Sequence, residues 1–317
     1  MSPSLPTPTP VLYVAGLGRS GSTLLERTLA RLPGVVAVGE MVHLWERGVV
    51  LDERCGCGRR FSECEFWGEV GERAFGGWDG IDAAHVLALK ESIDRTRFVP
   101  RQALGTEPGD FAVRADELAA VLGPLYAAIA AAAGGDVVID SSKNPSYAYL
   151  LRRSPELELK VVHAVRDAPA VAYAWTKTVR RPDADESLMG RWTPRYTALQ
   201  WVGQNLAASA LGRDGTPVAL VRYEDFVADP ASTVERLLAD LDLPRPGPED
   251  PLMAGLRSGH IDMGIDHTVS GNPMRFETGR ITISEDTSWR ERLPPSDRRL
   301  VVAMTAPVRR KLGYLAR

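Results

Sequence analysis

A chain of 317 residues, 44% of them hydrophobic, can bury the core of one large domain, with or without an appended subdomain, which excludes both a disordered polymer and a small disulfide-stapled scaffold. Its 38 basic and 41 acidic residues nearly cancel to a net charge of −3, so no whole-surface field favours nucleic acid or anionic lipid, and any anion site must be local. There is no run of about 18 or more apolar residues of the kind that crosses a membrane. The most apolar stretch, Leu118 to Ala133, is Ala-rich, contains Gly123 and Pro124, and reads as a helix packed inside the protein.

In chain order, the first ten residues, MSPSLPTPTP, lack the basic flank and apolar core of a secretion signal. They are expected to be a disordered lead to a soluble, cytoplasmic protein that forms a single domain over residues 11–317. Val11 to Ala15 is a short β-branched and aromatic run ending in glycines, and Ser22 to Leu32 shows helical spacing of Leu24, Leu25, Leu29 and Leu32. That is strand, loop, helix. A second short apolar run then leads to Glu40 in VVAVGEMVH.

Between residues 41 and 106 glycines, tryptophans and charges mix without a clear strand, and an inserted, mostly helical lid or acceptor-side region is expected. Within it Cys55, Cys57 and Cys64 fall in CGCGRRFSEC. His43 could make a fourth zinc ligand, but C-x-C-x6-C is not the paired C-x2-C that makes a zinc reading strong. A turn with buried thiols or a local disulfide is preferred, and no metal is expected.

Further strands are read at Asp136 to Asp140, Lys160 to Val165 and Pro217 to Arg222, each a near-continuous apolar run that implies burial on both faces. Helical patterns separate them at Asp116 to Ala133, Pro169 to Arg180, Tyr196 to Leu211 and Ala231 to Leu241. Arg257 to Asp286 reads as a long ordered loop, and Ser296 to Leu312 as a terminal helix. The alternation predicts an α/β fold with a mainly parallel central sheet flanked by helices.

Gly16-Leu17-Gly18-Arg19-Ser20-Gly21-Ser22-Thr23 lies where strand passes into helix. Glycines there let successive N–H groups converge on one anion, and the helix N-terminus adds its positive dipole end. A P-loop nucleotidase places Lys after the second glycine to reach the β and γ phosphates of its metal-bound nucleotide. Here that position is Ser22, and the charge comes from Arg19 inside the loop. A guanidinium so placed suits one tetrahedral anion better than a metal-bridged triphosphate.

GRSGSTLL resembles the 5′-phosphosulfate loop of bacterial sulfotransferases that use 3′-phosphoadenosine 5′-phosphosulfate (PAPS), and IDSSKNP, VVHAVRDAPAVAYAW, RYEDF and HTVSGNPMRF resemble further segments of the family in the same order. The resemblance implies a P-loop-like fold and metal-free transfer of a sulfuryl group from PAPS, with PAP released, to a small-molecule acceptor hydroxyl such as a phenol, a sugar or a natural-product alcohol. No nucleic-acid or membrane partner is expected; a homodimer is left open. By resemblance Ser20, Gly21, Ser22, Thr23 and Leu24 wrap the donor with Arg19, which also stabilises the bridging oxygen. Lys143, at a strand's carboxyl end, is the second cation. Glu40 is the expected base, its carboxyl raised by burial, with His43 as alternative.

Arg166 is expected to meet the 3′ phosphate, with Tyr223 against the nucleotide and Ser270, Gly271, Asn272 and Arg275 supplying the remainder. The serine that the family carries eight residues after the arginine is here Ala174. Asp167, Glu224 and Asp225 read as structural; Trp175, Trp201 and Trp289 could line an aromatic acceptor pocket, but large aromatics at helical spacing are more often core, and they are left unassigned. A P-loop small-molecule kinase and an inactive nucleotide-binding module are the competing readings, the first disfavoured by the missing lysine and the second supported only by Ala174.

Overall fold

The computed structural model describes residues 7–184, 187–247 and 249–314. Five strands, β1 (Thr9–Gly16), β2 (Val35–Gly39), β3 (Val137–Lys143), β4 (Leu157–Val165) and β5 (Val218–Arg222), form one sheet in the order β2-β3-β1-β4-β5. All four pairings are parallel. This is the α/β architecture that the apolar runs imply. Strand β1 begins at Thr9, so the last residues of the expected lead are sheet; residues 1–6 of that lead lie outside the described residues.

Both faces of β1 are buried, which accounts for its unbroken apolar run. Val11, Tyr13 and Ala15 face a cluster with Leu118, Leu122 and Ile129 of the helix Gly109–Ala133, whereas Leu12 and Val14 face Leu25, Leu29, Val234 and Leu237. Each such Val or Leu, fully withdrawn from water, contributes about 1.5–3 kcal/mol. The helix Gly109–Ala133 is long and apolar enough to cross a membrane, but here it packs on the sheet and on the helix Glu65–Phe75. A third cluster joins the helices Ala168–Thr176, Pro194–Ala210 and Pro295–Lys311 around Trp201 and Val301.

Two segments differ from expectation. Val35–Gly39 is an edge strand, β2, whose pairing to β3 no local pattern announces. Residues 257–286, expected to be loop, contain the antiparallel pair β6 (His260–Met263) and β7 (Gly279–Thr282), with a 3-10 turn Pro273–Phe276 between them. Val269 also docks beside Gly39: its N–H donates to Val38 O at 2.7 Å, and its own carbonyl accepts from Glu40 N at 2.8 Å.

The stretch 41–106 carries the helices Glu65–Phe75, Ala83–Ile93 and Val99–Leu104 and several tight turns. Cys55, Cys57 and Cys64 are free thiols. Their sulfurs stand 3.7 Å apart in the pairs Cys57–Cys64 and Cys55–Cys64, against about 2.05 Å in a disulfide, so the expected local disulfide is not formed. Their histidine neighbour is His267, from the C-terminal segment; His43 instead faces Glu40 and Glu46.

Candidate functional site

The site is built where β1, β2, β3 and β4 end, at the carboxyl edge of the sheet, where open α/β sheets bind ligands. Strand β1 runs directly into the glycine loop. Gly16 has φ 141°, and a Cβ there would stand 2.2 Å from Ala164 O, so only glycine lets the chain leave the sheet so close to β4. Gly21 (φ 82°) caps the helix Ser22–Leu29, and a Cβ on it would come within 2.5 Å of the Tyr223 ring. That helix start has no side-chain cap and no acidic residue in its first turn, which leaves its positive end to the loop. Ser20 is buried, and its hydroxyl has no hydrogen-bond partner among the described residues.

Arg19 holds a left-handed backbone (φ 73°) within the loop, with its guanidinium 5.4 Å from the Trp175 ring centre and in contact with Met189 Sδ at 3.1 Å. Trp175 is not only core. Its indole N–H donates to Gly18 O at 3.1 Å, and its ring stacks on Trp192 at 3.6 Å, so it supports the loop from outside.

Lys143 ends β3 in the same left-handed region (φ 69°), and this turns its ammonium towards β2. Its Nζ donates to Glu40 Oε1 at 2.6 Å and to Ser141 O at 2.7 Å. His43 Nε2 lies 3.7 Å from the other oxygen of Glu40. Burial would raise the Glu40 carboxyl, but Lys143, then His43 and Arg47, outweigh it and hold Glu40 below the ordinary carboxylate value. The expected upward shift is thereby reversed. Burial pushes His43 down to about 4 despite the pull of Glu40, so its imidazole is neutral at physiological pH.

Arg166 leaves β4 with its guanidinium 4.4 Å from the Tyr223 ring centre, and its Nη2 donates to Asp286 O at 2.9 Å, while its buried Nε has no partner among the described residues. Lys177 joins it through Asp286, with Nζ 3.1 Å from the carboxylate. Ala174 is buried and offers no polar atom, and Lys177 is the nearby charge that the sequence reading missed.

The C-terminal residues sort differently from expectation. Ser270, Gly271 and Asn272 lie on the Glu40 side: a Cβ on Gly271 would stand 3.4 Å from Glu40 Oε1, Ser270 Oγ accepts from Arg47 at 2.5 Å, and Asn272 Oδ1 caps the following turn through Met274 N. Arg275 is 2% exposed and donates to Thr268 O, Arg54 O and Asp183 Oδ2. With both terminal nitrogens so committed, and only its buried Nε without a partner among the described residues, Arg275 holds the loop in place.

With the phosphate loop, the Glu40–Lys143 pair and the Arg166–Tyr223 pair on one sheet edge, the comparisons with known proteins become specific. A family model described as "Sulfotransferase family" matches residues 10–247, three quarters of the chain. The chain belongs to this family.

No curated protein matches this sulfotransferase. Among solved structures it is similar to the sulfotransferase domain from the curacin biosynthetic pathway, at 17% identity and a TM-score of 0.50 over 94% of this chain and 98% of that one. The sulfotransferase domain of the Synechococcus PCC 7002 olefin synthase aligns at 20% identity and a TM-score of 0.47 over 96% and 98%. A sulfotransferase from Mycobacterium avium aligns at 13% and 0.40 over 80% and 68%. At these identities the likeness concerns the fold.

Two residues that sequence reasoning passed over position the site of this sulfotransferase. Glu26, on the helix after the glycine loop, is 2% exposed; its Oε1 accepts from Gly39 N at 2.7 Å and its Oε2 from Ser141 Oγ at 2.6 Å. One carboxyl thereby ties the loop helix to the residues preceding both Glu40 and Lys143. Burial, only partly offset by these bonds, raises it to about 7. Arg27 is fully buried and donates to Asp266 Oδ2, Gly264 O, Met274 O and Glu277 O, which fixes the C-terminal segment against the same helix. Charged residues at consecutive positions of an eight-residue helix that is buried on several sides were the available signal. A cavity of about 140 Å³ lined by Leu12, Val35, Val137 and Pro244 opens at the amino ends of the strands, away from this chemistry.

Proposed function

We propose that this sulfotransferase takes its sulfuryl group from PAPS and passes it in line to the hydroxyl of a small-molecule acceptor. The observation that carries the proposal is the contact of Glu40 and Lys143, a carboxylate and a cation 2.6 Å apart at the strand ends beside the loop that holds Arg19. An anionic nucleotide with phosphate at two ends fits the residues present. The unpartnered Ser20 hydroxyl and the uncapped helix start face one end, and the unpartnered Nε of Arg166, with Lys177, faces the other.

In this reading Arg19, Ser20, Gly21, Ser22, Thr23 and Leu24 hold the 5′ end, Arg166 and Lys177 hold the 3′ phosphate, and Tyr223 abuts the nucleotide. PAPS supplies a sulfuryl group on a phosphate leaving group. Arg19 and Lys143 stabilise the negative charge that gathers on the departing oxygen, an electrostatic role that grows as water is excluded. Glu40, ionised at neutral pH, accepts the acceptor's hydroxyl proton on a carboxylate oxygen. Lys143, 2.6 Å from Glu40 Oε1, keeps that carboxylate ionised against the opposing effect of burial. His43, neutral and 3.7 Å away, is the alternative base.

Calorimetric titration with PAP, compared with ATP and magnesium, tests the donor. Micromolar PAP binding that is indifferent to magnesium and weakened on removal of the 3′ phosphate is expected. Preference for ATP with magnesium, or no binding of PAP, overturns the reading in favour of a kinase or an inactive module.

A further inference from the structure

We propose that Cys55, Cys57, Cys64 and His267 form a closed structural zinc site that clips the 41–106 segment to the C-terminal loop beside Glu40. The four ligand atoms all lie within 4.8 Å of one another. Cys64 Sγ stands 3.7 Å from both Cys55 Sγ and Cys57 Sγ and 3.2 Å from His267 Nδ1, and Cys55 Sγ is 3.7 Å from that nitrogen. A tetrahedral zinc ion with bonds of about 2.3 Å to sulfur and about 2.0–2.1 Å to nitrogen spaces two sulfurs by about 3.8 Å and a sulfur and a nitrogen by about 3.5 Å. Four of the six ligand pairs thus have the spacing of donors around one ion, and the other two lie within 4.8 Å. The spacing is far too wide for a disulfide and too narrow for thiolates spread over an iron–sulfur cluster.

Three thiolates and an imidazole favour zinc over magnesium or calcium, and with all four positions supplied by the protein none is left for water or substrate. The surroundings are those of a held site. Cys55 and Cys64 are buried, Phe66 stacks on the His267 ring at 4.8 Å, and Trp67 Nε1 donates to His267 O at 3.0 Å. Cys55 N donates to Arg59 O within the cysteine turn, and Gly56 N donates to Thr268 O, which binds that turn to the C-terminal loop. Arg275, donating to Arg54 O next to Cys55, brings positive charge near what would be a net −1 complex. Metal binding releases the thiol protons to solvent and involves no change of oxidation state.

Cys64 and His267 lie 203 residues apart, and two residues beyond His267 the chain pairs with Val38 and Glu40 through Val269. The ion would thus brace the general-base side of the site while taking no part in transfer, and the inference stands independently of the donor assignment.

The test is elemental analysis of the full chain purified without chelator or metal-affinity tag, followed by replacement of the metal with cobalt. About one zinc per chain is expected, with the visible and thiolate charge-transfer bands of tetrahedral cobalt after exchange. Cys57→Ser, at the most accessible of the three thiols, and His267→Ala should each lose the bound ion. If both variants fail to fold, the wild-type cobalt spectrum still decides. Substoichiometric zinc with no uptake of zinc or cobalt by the reduced protein overturns the proposal. So does a disulfide among the three cysteines, or a full equivalent of zinc retained in both variants.

Discussion

Replacing Glu26 by Gln removes a titrating carboxyl from the interior while keeping its shape. Burial raises the Glu26 carboxyl from 4.5 to about 7 in the folded chain, so the folded state binds its proton more tightly than the unfolded state does. The stability linked to this proton is fully present below about pH 4.5 and is lost as pH rises through about 7. A displacement of about 2.5 pH units corresponds to about 3 kcal/mol, of which about 2–3 kcal/mol falls between pH 5 and pH 8. Wild type should therefore lose that much unfolding free energy over this interval relative to Glu26→Gln, as measured by parallel denaturant titrations. Asp140, raised by burial to about 6, titrates in both proteins, and the comparison subtracts most of its contribution. If the two proteins show the same pH dependence, Glu26 does not titrate as a buried acid and is held ionised across this interval by its bonds to Gly39 and Ser141.

Glu40→Gln should leave PAP affinity intact and slow sulfuryl transfer from radiolabelled PAPS, to any phenol or alcohol of a panel that wild type turns over, by about a hundredfold or more; an unchanged rate would move the base to His43. Arg19→Ala should abolish turnover and weaken PAP binding in the same assays, and full PAP affinity would refute its place in the donor loop. Arg166→Ala should reduce the preference for PAP over AMP by about tenfold to a hundredfold, the worth of a charge-assisted hydrogen bond; calorimetry reads the ratio, and an unchanged preference would place the 3′ phosphate elsewhere. Arg27→Met leaves Asp266 buried beside only Arg31 and orphans three carbonyls, and a loss of about 3–5 kcal/mol in denaturant unfolding is expected.

Features that depend on neighbours in the chain were legible from the residues. The β-branched run of β1, the glycines after it and the leucine spacing of the next helix encode strand, loop and helix locally, because pleat, left-handed backbone and helical period each act within a few residues. The near-continuous apolar runs of β3, β4 and β5 likewise implied burial on both faces and thus a parallel sheet, which β3 and β4 bear out, whereas β5 at the sheet edge leaves Leu220 exposed. Lys143 was singled out for its place at a strand's end, where such a sheet binds ligands, and Arg19, Glu40 and Arg166 by resemblance; the fold brings all four to one sheet edge.

What only the tertiary structure decided depends on partners distant in sequence. Glu40 was expected to be raised by burial and is lowered, since its charge partner Lys143 lies 103 residues away on another strand. Arg275 was expected to share in the 3′-phosphate contact, and packing commits its terminal nitrogens to Thr268, Arg54 and Asp183. The three cysteines suggested His43, and the fold delivers His267 from the far end of the chain. Local sequence fixes backbone conformation within a few residues, whereas a side chain's charge state and ligands are set by whatever packing brings within a few ångströms, and that is a property of the whole fold.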